Sequence, residues 1–400
     1  MPNSVSNLAE NICQALEGAI GPASDHSCLF RPQFPATAWT YIKDCLDSGW
    51  VSSVGQYVDD FETKLAEYTG APNAIAVVNG TAALQVCFHL AGVSHDDEVL
   101  MPALTFVATA NAARHQNAHP HFIDIDQNHL GMCPEALEHR LAKIAVRKNG
   151  ITLNRETDRR LAAVCPMHCL GFPCDLDALA SICEEYDLPM VEDAAESLGS
   201  TYKGVHTGRH GLLSAISFNG NKVLTTGGGG AILTDNSDLA QRAKHLTRAA
   251  KLSHDWESLH DEVAWNYRMP NINAAMGVAQ LEVLDELLEN KSKLHDKYNQ
   301  HFASIEELRL VQSPAWGRSN HWLNCIILED DDIRLRDQIL TVLNDAGYQS
   351  APLWLPMHRL PMYTHCSRGD LPNTESIHRR SISIPSASTL AGHSAQDLLG

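Results

Sequence analysis

The chain has 400 residues, 44% of them hydrophobic, which is enough for one large globular domain and a smaller second one. Its formal net charge of −18 argues against nucleic acid or an anionic membrane surface as a partner, though not against an anionic small ligand, which answers to local donors. Eleven cysteines, an odd number, and an N-terminus without a basic stretch leading into an apolar one fit a reducing cytoplasm rather than export. The apolar-rich stretch 74–93 is broken by Asn79, Gly80, Thr81, Gln85 and His89 and makes a poor membrane span.

Residues 1–37 read as an N-terminal segment, and from about residue 40 helical and strand patterns alternate as βα units do. Residues 61–68 read as an amphipathic helix and 74–78 (AIAVV) as a buried strand, after which the turn Asn79-Gly80-Thr81 opens a helix over 82–91. A strand at 98–102 and a helix at 105–116 follow, then strands at 121–125 and 161–166 and a helix at 176–186. The strand 188–192 delivers Asp193, and the strands 213–218 and 231–234 flank a glycine ladder. The pattern predicts an α/β fold over 38–270: a mostly parallel sheet flanked by helices, with ligands collecting at the carboxyl ends of its strands. Past residue 270 come one long helix (273–293), a strand (321–328), a helix (333–346) and strands at 348–353 and 381–384. They form a smaller α+β domain over 271–400.

At the predicted strand ends stand Asn79-Gly80-Thr81, Thr105-Phe106, His168, Asp193 with Glu196, and Ser217 through Lys222. These are the parts needed to hold pyridoxal phosphate. Its phosphate wants backbone amides at a helix start, where the macrodipole favours negative charge. The pyridinium nitrogen wants a buried carboxylate and the aldehyde carbon a lysine amine, while an aromatic ring covers one face. Taken singly, Asn-Gly-Thr is a plain turn, a strand-end aspartate a helix cap, Phe106 core packing and Lys222 a surface lysine. The order and company of the set favour the cofactor. Cys165, His168, Cys169 and Cys174 have a zinc flavour but no CxxC pair, and no metal site is assigned. A nucleotide phosphate loop fails as well: Asn221 and not lysine follows Gly220, Ala215 stands where the first glycine of that register belongs, and Val223 follows Lys222. So does a dinucleotide fingerprint, since residues 79–82 hold one glycine.

The stretches VVNGTAALQV, ALTFVATANAA, MHCLGFPCDL, VEDAAESLGS, SFNGNKVLTTGGGGAILTDN and NYRMPNINAAMGVAQLE follow one another in the order of known family motifs. Over roughly residues 35–390 the chain resembles the fold-type-I PLP-dependent sugar aminotransferases of the DegT/StrS group. The resemblance implies that Lys222 bonds covalently to pyridoxal 5'-phosphate and that Asp193 pairs with its ring nitrogen. It implies that Gly80, Thr81 and Ser217 bind the phosphate, Phe106 stacks on the ring and Glu196 lies near the phenolic oxygen. It further implies a homodimer with shared sites, Asn266 reaching the neighbouring subunit's phosphate. The implied partners are glutamate as amino donor and a nucleotide-linked keto-sugar as acceptor, for which Arg268, His321 and His358 are candidate contacts. Many members have Gln where Glu196 stands and TTGEGG where this chain has TTGGGG. With SFNGNK and the upstream GWVSSVGQYVDDFE, these variants look like the legionaminic-acid-pathway subgroup, which aminates C4 of UDP-4-keto-6-deoxy-N-acetylhexosamines on routes to bacterial nonulosonic acids. Retention of Lys222 counts against a dehydratase or deoxygenase of the same fold, where histidine commonly replaces it, and against a catalytically silent relative.

Overall fold

The computed structural model describes residues 2–391. Seven strands build the central sheet: β1 (Asn73–Val77), β2 (Glu98–Pro102), β3 (His119–Ile123), β4 (Leu161–Val164), β5 (Val191–Asp193), β6 (Leu213–Ser217) and β7 (Gly230–Thr234). Their spatial order is β3-β2-β4-β5-β6-β7-β1, with β4 and β5 joined by the parallel bridge Val164↔Met190 rather than a full ladder. The neighbours β3-β2, β2-β4 and β5-β6 run parallel, while β7 runs antiparallel to both β6 and β1. The expected mostly parallel sheet is therefore present, with one reversed strand. No helix lies between β6 and β7 to carry a parallel crossover.

Side chains alternate across this sheet with period two. Ile75 and Val77 enter a core with Leu84, Phe88, Ala110 and Ala243, from the helices Gly80–Leu90, Val107–His115 and Ser237–Thr247. Ala74 and Ala76 point the other way, into a core with Phe61, Leu65, Ala274 and Val278, from Gln56–Thr69 and Asn271–Leu281. Helices on both faces explain why β1 and β2 read as continuous apolar runs.

The smaller domain carries an antiparallel sheet in the order β8 (Leu308–Leu310), β9 (Asn324–Leu328), β10 (Ser381–Ile384). Three sequence expectations need correction here. Residues 1–37 are not a segment apart: the helix Pro2–Ile20 buries Leu8, Ile12 and Leu16 against Leu294, Tyr298, Ile326 and Ile382 of the small domain. The single helix expected over 273–293 is two, Asn271–Leu281 and Leu284–Phe302, broken at Glu282–Val283. The first helix and the start of the second, through Leu284 and Leu288, pack on the large domain, while Leu294, Tyr298 and Phe302 pack on the small one, so the change of partner falls inside the second helix and not at residue 270. Finally, 348–353 is no strand but a single bridge, Ala351↔Ser383, because Pro352 has no amide with which to continue a ladder. Residues 392–400 of the expected small domain lie outside the described residues.

Candidate active site

The carboxyl ends of β1, β2, β5 and β6 lead into turns that surround one cavity of about 260 Å³. After β1, Asn79 caps the helix Gly80–Leu90, its Oδ1 accepting the Ala82 amide at 2.8 Å. The amides of Gly80 and Thr81 begin that helix, where the backbone ladder offers them no acceptor and the macrodipole favours an anion. Ser217 ends β6 beside them: a Cβ on Gly80 would stand 2.9 Å from the Ser217 Cβ. β7 passes as near, since a Cβ on Gly230 would stand 2.5 Å from the Asn79 carbonyl carbon and 2.7 Å from the Gly80 nitrogen. Only glycine permits three chain segments to converge this closely.

Asp193 ends β5, with its Oδ2 accepting the Thr109 hydroxyl at 2.6 Å and its Oδ1 the Ala195 amide at 3.2 Å. Thr109 is steadied in turn by Thr105, oxygen to oxygen at 2.8 Å, from the bend that precedes the helix Val107–His115. Burial pushes the Asp193 carboxyl up from its ordinary value, while Thr109, Ala195 and Lys222 pull it down. Glu196 is buried too, and burial raises its pKa to about 7 against the pull of Lys222. Its Oε2 accepts the Leu170 amide at 2.9 Å, and Leu170 presents that amide at a φ of 54°, a left-handed conformation that costs a leucine strain energy. Its Oε1 lies 3.3 Å from the Lys222 Nζ. Lys222 enters from the loop after β6, and its Nζ also sits 4.0 Å from the centre of the Trp322 ring. Phe106 and Trp354 flank the cavity with ring centres 6.3 Å apart, and Phe106 is 48% exposed, free to cover a ligand.

Gly80, Thr81, Phe106, Asp193, Glu196, Ser217 and Lys222 thus line the same cavity. Asn266 does not. It pairs with Arg248 in an antiparallel bridge and lines a separate opening of about 490 Å³ with Ser53, Val54, Lys251 and His254. The three candidate substrate contacts also lie outside the Lys222 cavity. Arg268 is buried in an ion pair, its Nη1 2.5 Å from Glu62 Oε1 and 2.9 Å from the Ala76 carbonyl. His321 stacks on His295 with ring centres 4.0 Å apart, and burial drives its pKa well below the usual value. His358 Nε2 lies 2.7 Å from Glu375, and burial together with Arg368 and Arg359 lowers its pKa to about 4. His168 is spent on Glu192 at 3.0 Å and on the Cys174 amide at 3.2 Å, so it braces the loop under Asp193.

Sequence reasoning missed Thr109, Trp322 and Trp354. Thr109 follows Thr105 by four residues, a spacing that would place both hydroxyls on one face of the helix expected over 105–116, although the helix itself begins at Val107. The stretch SNHWLN around Trp322 carries no comparable signal.

Sheet, helices and cavity together are those of a fold-type-I pyridoxal phosphate-dependent transferase. Comparison with known proteins narrows this further. The chain belongs to the DegT/DnrJ/EryC1/StrS aminotransferase family, whose sequence model matches residues 34–399. It is 35% identical to EpsN of Bacillus subtilis (strain 168) over 368 residues, 90% of this chain and 91% of EpsN. It is 32% identical to the GDP-perosamine synthase of Vibrio cholerae, covering 90% of this chain and 93% of that enzyme. Among solved structures it superposes on DesI, determined in the presence of its TDP-sugar product, with a TM-score of 0.80 and 28% identity, covering 96% of this chain and 94% of DesI. No helix among the described residues is long and apolar enough to cross a membrane, and all eleven cysteines are free thiols.

Proposed function

We propose that the chain is a sugar aminotransferase that holds pyridoxal 5'-phosphate in the Lys222 cavity. The phosphate would rest on Gly80, Thr81 and Ser217, the ring nitrogen on Asp193, a ring face on Phe106 and the aldehyde carbon on Lys222. One observation carries this reading: an amine and a hydrogen-bonded, buried carboxylate share a cavity with a glycine-made anion cradle. When bound, the group supplies a carbonyl that captures amines and a π-system that accepts electrons from the carbon losing its proton.

The chain's own residues do the rest. Asp193, fixed by Thr109 and Ala195, holds a proton on the ring nitrogen through a charge-assisted hydrogen bond. Lys222 moves protons at its Nζ, and Glu196, with a pKa of about 7 at 3.3 Å, is placed to exchange a proton with it near neutrality. The same lysine serves two substrates in turn, glutamate as donor and a nucleotide-linked keto-sugar as acceptor, so the kinetics should be ping-pong.

For the acceptor we favour a UDP-linked 4-keto-6-deoxy-N-acetylhexosamine aminated at C4, on a legionaminic-acid type of route. Glu196, SFNGNK and TTGGGG support this choice. The identity to the GDP-perosamine synthase of Vibrio cholerae favours a GDP-linked sugar as the second reading. Nitrogen-15-labelled glutamate, offered with UDP-, GDP- and TDP-linked keto-sugars and followed by mass spectrometry, decides between them. Label in the UDP sugar supports the first reading, and label only in another nucleotide sugar overturns it. Label in none overturns the aminotransferase reading itself.

The same reading makes the protein a homodimer with shared sites. Asn266, Arg248 and Lys251 line an opening that no Lys222 reaches within one chain. Trp256 and Val263, in the segment leading to Asn266, are 85% and 98% exposed, as befits residues that another subunit covers. The interface should bury more than about 2,000 Å² in total. Sedimentation of a fully active monomer would contradict the shared site.

A further inference from the structure

We infer that Trp322, locked in place by Lys291 and Asn320, is the positioning residue for Lys222. The kinetic part of this inference rests on the aminotransferase reading; the structural part does not. Trp322 belongs to the loop that enters β9, so it comes from the small domain, yet it touches Lys222 in two ways. Its ring face lies under the lysine Nζ at 4.0 Å, a cation–π contact in a site where Trp322 itself is 4% exposed. Its indole N–H donates to the Asn221 carbonyl at 2.7 Å, which fixes the backbone from which Lys222 springs.

The loop is tied on its other side as firmly. Asn320 Oδ1 accepts the Trp322 amide at 2.9 Å, and its Nδ2 donates to the Glu196 and Leu198 carbonyls at 2.8 and 2.9 Å. The Trp322 carbonyl accepts from Lys291 Nζ at 2.9 Å, and Lys291 also donates to the Ser386 carbonyl at 2.7 Å. Lys291 is buried and forms no salt bridge among the described residues, an arrangement that costs stability. Its donors instead fix one small-domain loop, which clamps the backbones of both Lys222 and Glu196.

The same Nζ serves both halves of the proposed reaction. Loosening it should therefore slow both halves by a similar factor and leave both KM values alone. A residue that contacts one substrate would raise one KM. A residue that only packs the domain would leave the surroundings of the Lys222 amine unchanged.

The test compares the wild type with Trp322→Leu and Trp322→Phe by nuclear magnetic resonance of the cofactor-free protein carrying carbon-13 at the lysine ε-carbons. The Lys222 signal is assigned by its loss in Lys222→Ala. In the wild type the indole ring current should move the Lys222 ε-methylene upfield. Phenylalanine should keep part of that displacement and leucine none. In the loaded enzyme, Trp322→Leu should lower the single-turnover rate with glutamate and with the keto-sugar alike, by about 30-fold, the size expected for a desolvated cation–π contact. An unmoved Lys222 signal in a folded Trp322→Leu or Trp322→Phe protein overturns the inference, and so does a rise in one KM with the other half-reaction untouched. If the signal moves as stated but no keto-sugar is aminated even by the wild type, the positioning role stands and the aminotransferase reading falls.

Discussion

Glu196→Gln changes the charge in the cavity while keeping its shape. The carboxyl is buried, and burial raises its pKa from the ordinary 4.5 to about 7 in spite of Lys222 at 3.3 Å. A carboxyl raised in the folded state holds its proton more tightly there than in the unfolded chain. Its contribution to stability is therefore fully present below about pH 4.5 and is lost as the pH climbs through about 7. At about 1.4 kcal/mol per pH unit, the full gap is worth about 3 kcal/mol, most of which should be lost between about pH 5 and pH 8. Glutamine at this position does not titrate. Urea unfolding of the cofactor-free wild type and Glu196→Gln at both pH values reads the effect directly. The wild type should lose about 2–3 kcal/mol relative to the variant on going to the higher pH. A wild-type-to-variant difference that is the same at both values would refute the raised carboxyl, and with it the proton exchange between Glu196 and Lys222.

Asp193→Asn keeps a partner for Thr109 but removes the charge that holds a proton on the ring nitrogen. A charge-assisted hydrogen bond of about 1.5–3 kcal/mol corresponds to a fall of about 10–100-fold in the single-turnover rate. A change below about fivefold would mean that Asp193 has another role. Gly230→Ala places a methyl group 2.5 Å from a backbone carbon of Asn79, a clash that no rotamer relieves. Cofactor affinity, measured by fluorescence titration, should fall by at least about tenfold while the circular dichroism spectrum is retained. Lys291 has its pKa lowered to about 7 by burial, whereas the unfolded chain keeps that proton to the ordinary 10.5. Between these values the unfolded state binds more protons, so stability should rise with pH. The wild type should gain on Lys291→Met by about 1.4 kcal/mol per pH unit above 7, read by urea unfolding.

What the sequence revealed was local. Strand ends and helix starts are written in adjacent residues, so Asn79-Gly80-Thr81, Asp193 and the Ser217–Lys222 stretch could be placed on turns at one edge of a sheet, and the structure gathers them there. The glycines of the ladder were visible, but the reason for Gly230 was not. It lies in the approach of β7 to a turn about 150 residues earlier. The break at Glu282–Val283 has no proline or glycine to announce it. Beyond it the second helix first buries Leu284 and Leu288 in the core of Phe61 and then Leu294 and Tyr298 against the N-terminal helix, a division of partners that periodicity does not record. Trp322 escaped notice for the same reason. Its contact with Lys222 spans 100 positions, and its immediate neighbours resemble any strand entry. Arg268, a cation beside a family motif, pairs with Glu62 and lines the opening of Asn266 rather than the Lys222 cavity, a placement that its neighbours in sequence do not record.

Among the lysines of the chain, Lys222 is the one that should hold the cofactor. The protein, loaded with pyridoxal 5'-phosphate, should show a visible absorption band that borohydride abolishes. Proteolysis and mass spectrometry of the reduced protein should then find the pyridoxyl mass on the peptide containing Lys222, and Lys222→Ala should show neither band nor adduct. An adduct on another lysine, or a folded protein that takes up no cofactor at all, would contradict the assignment of the cavity.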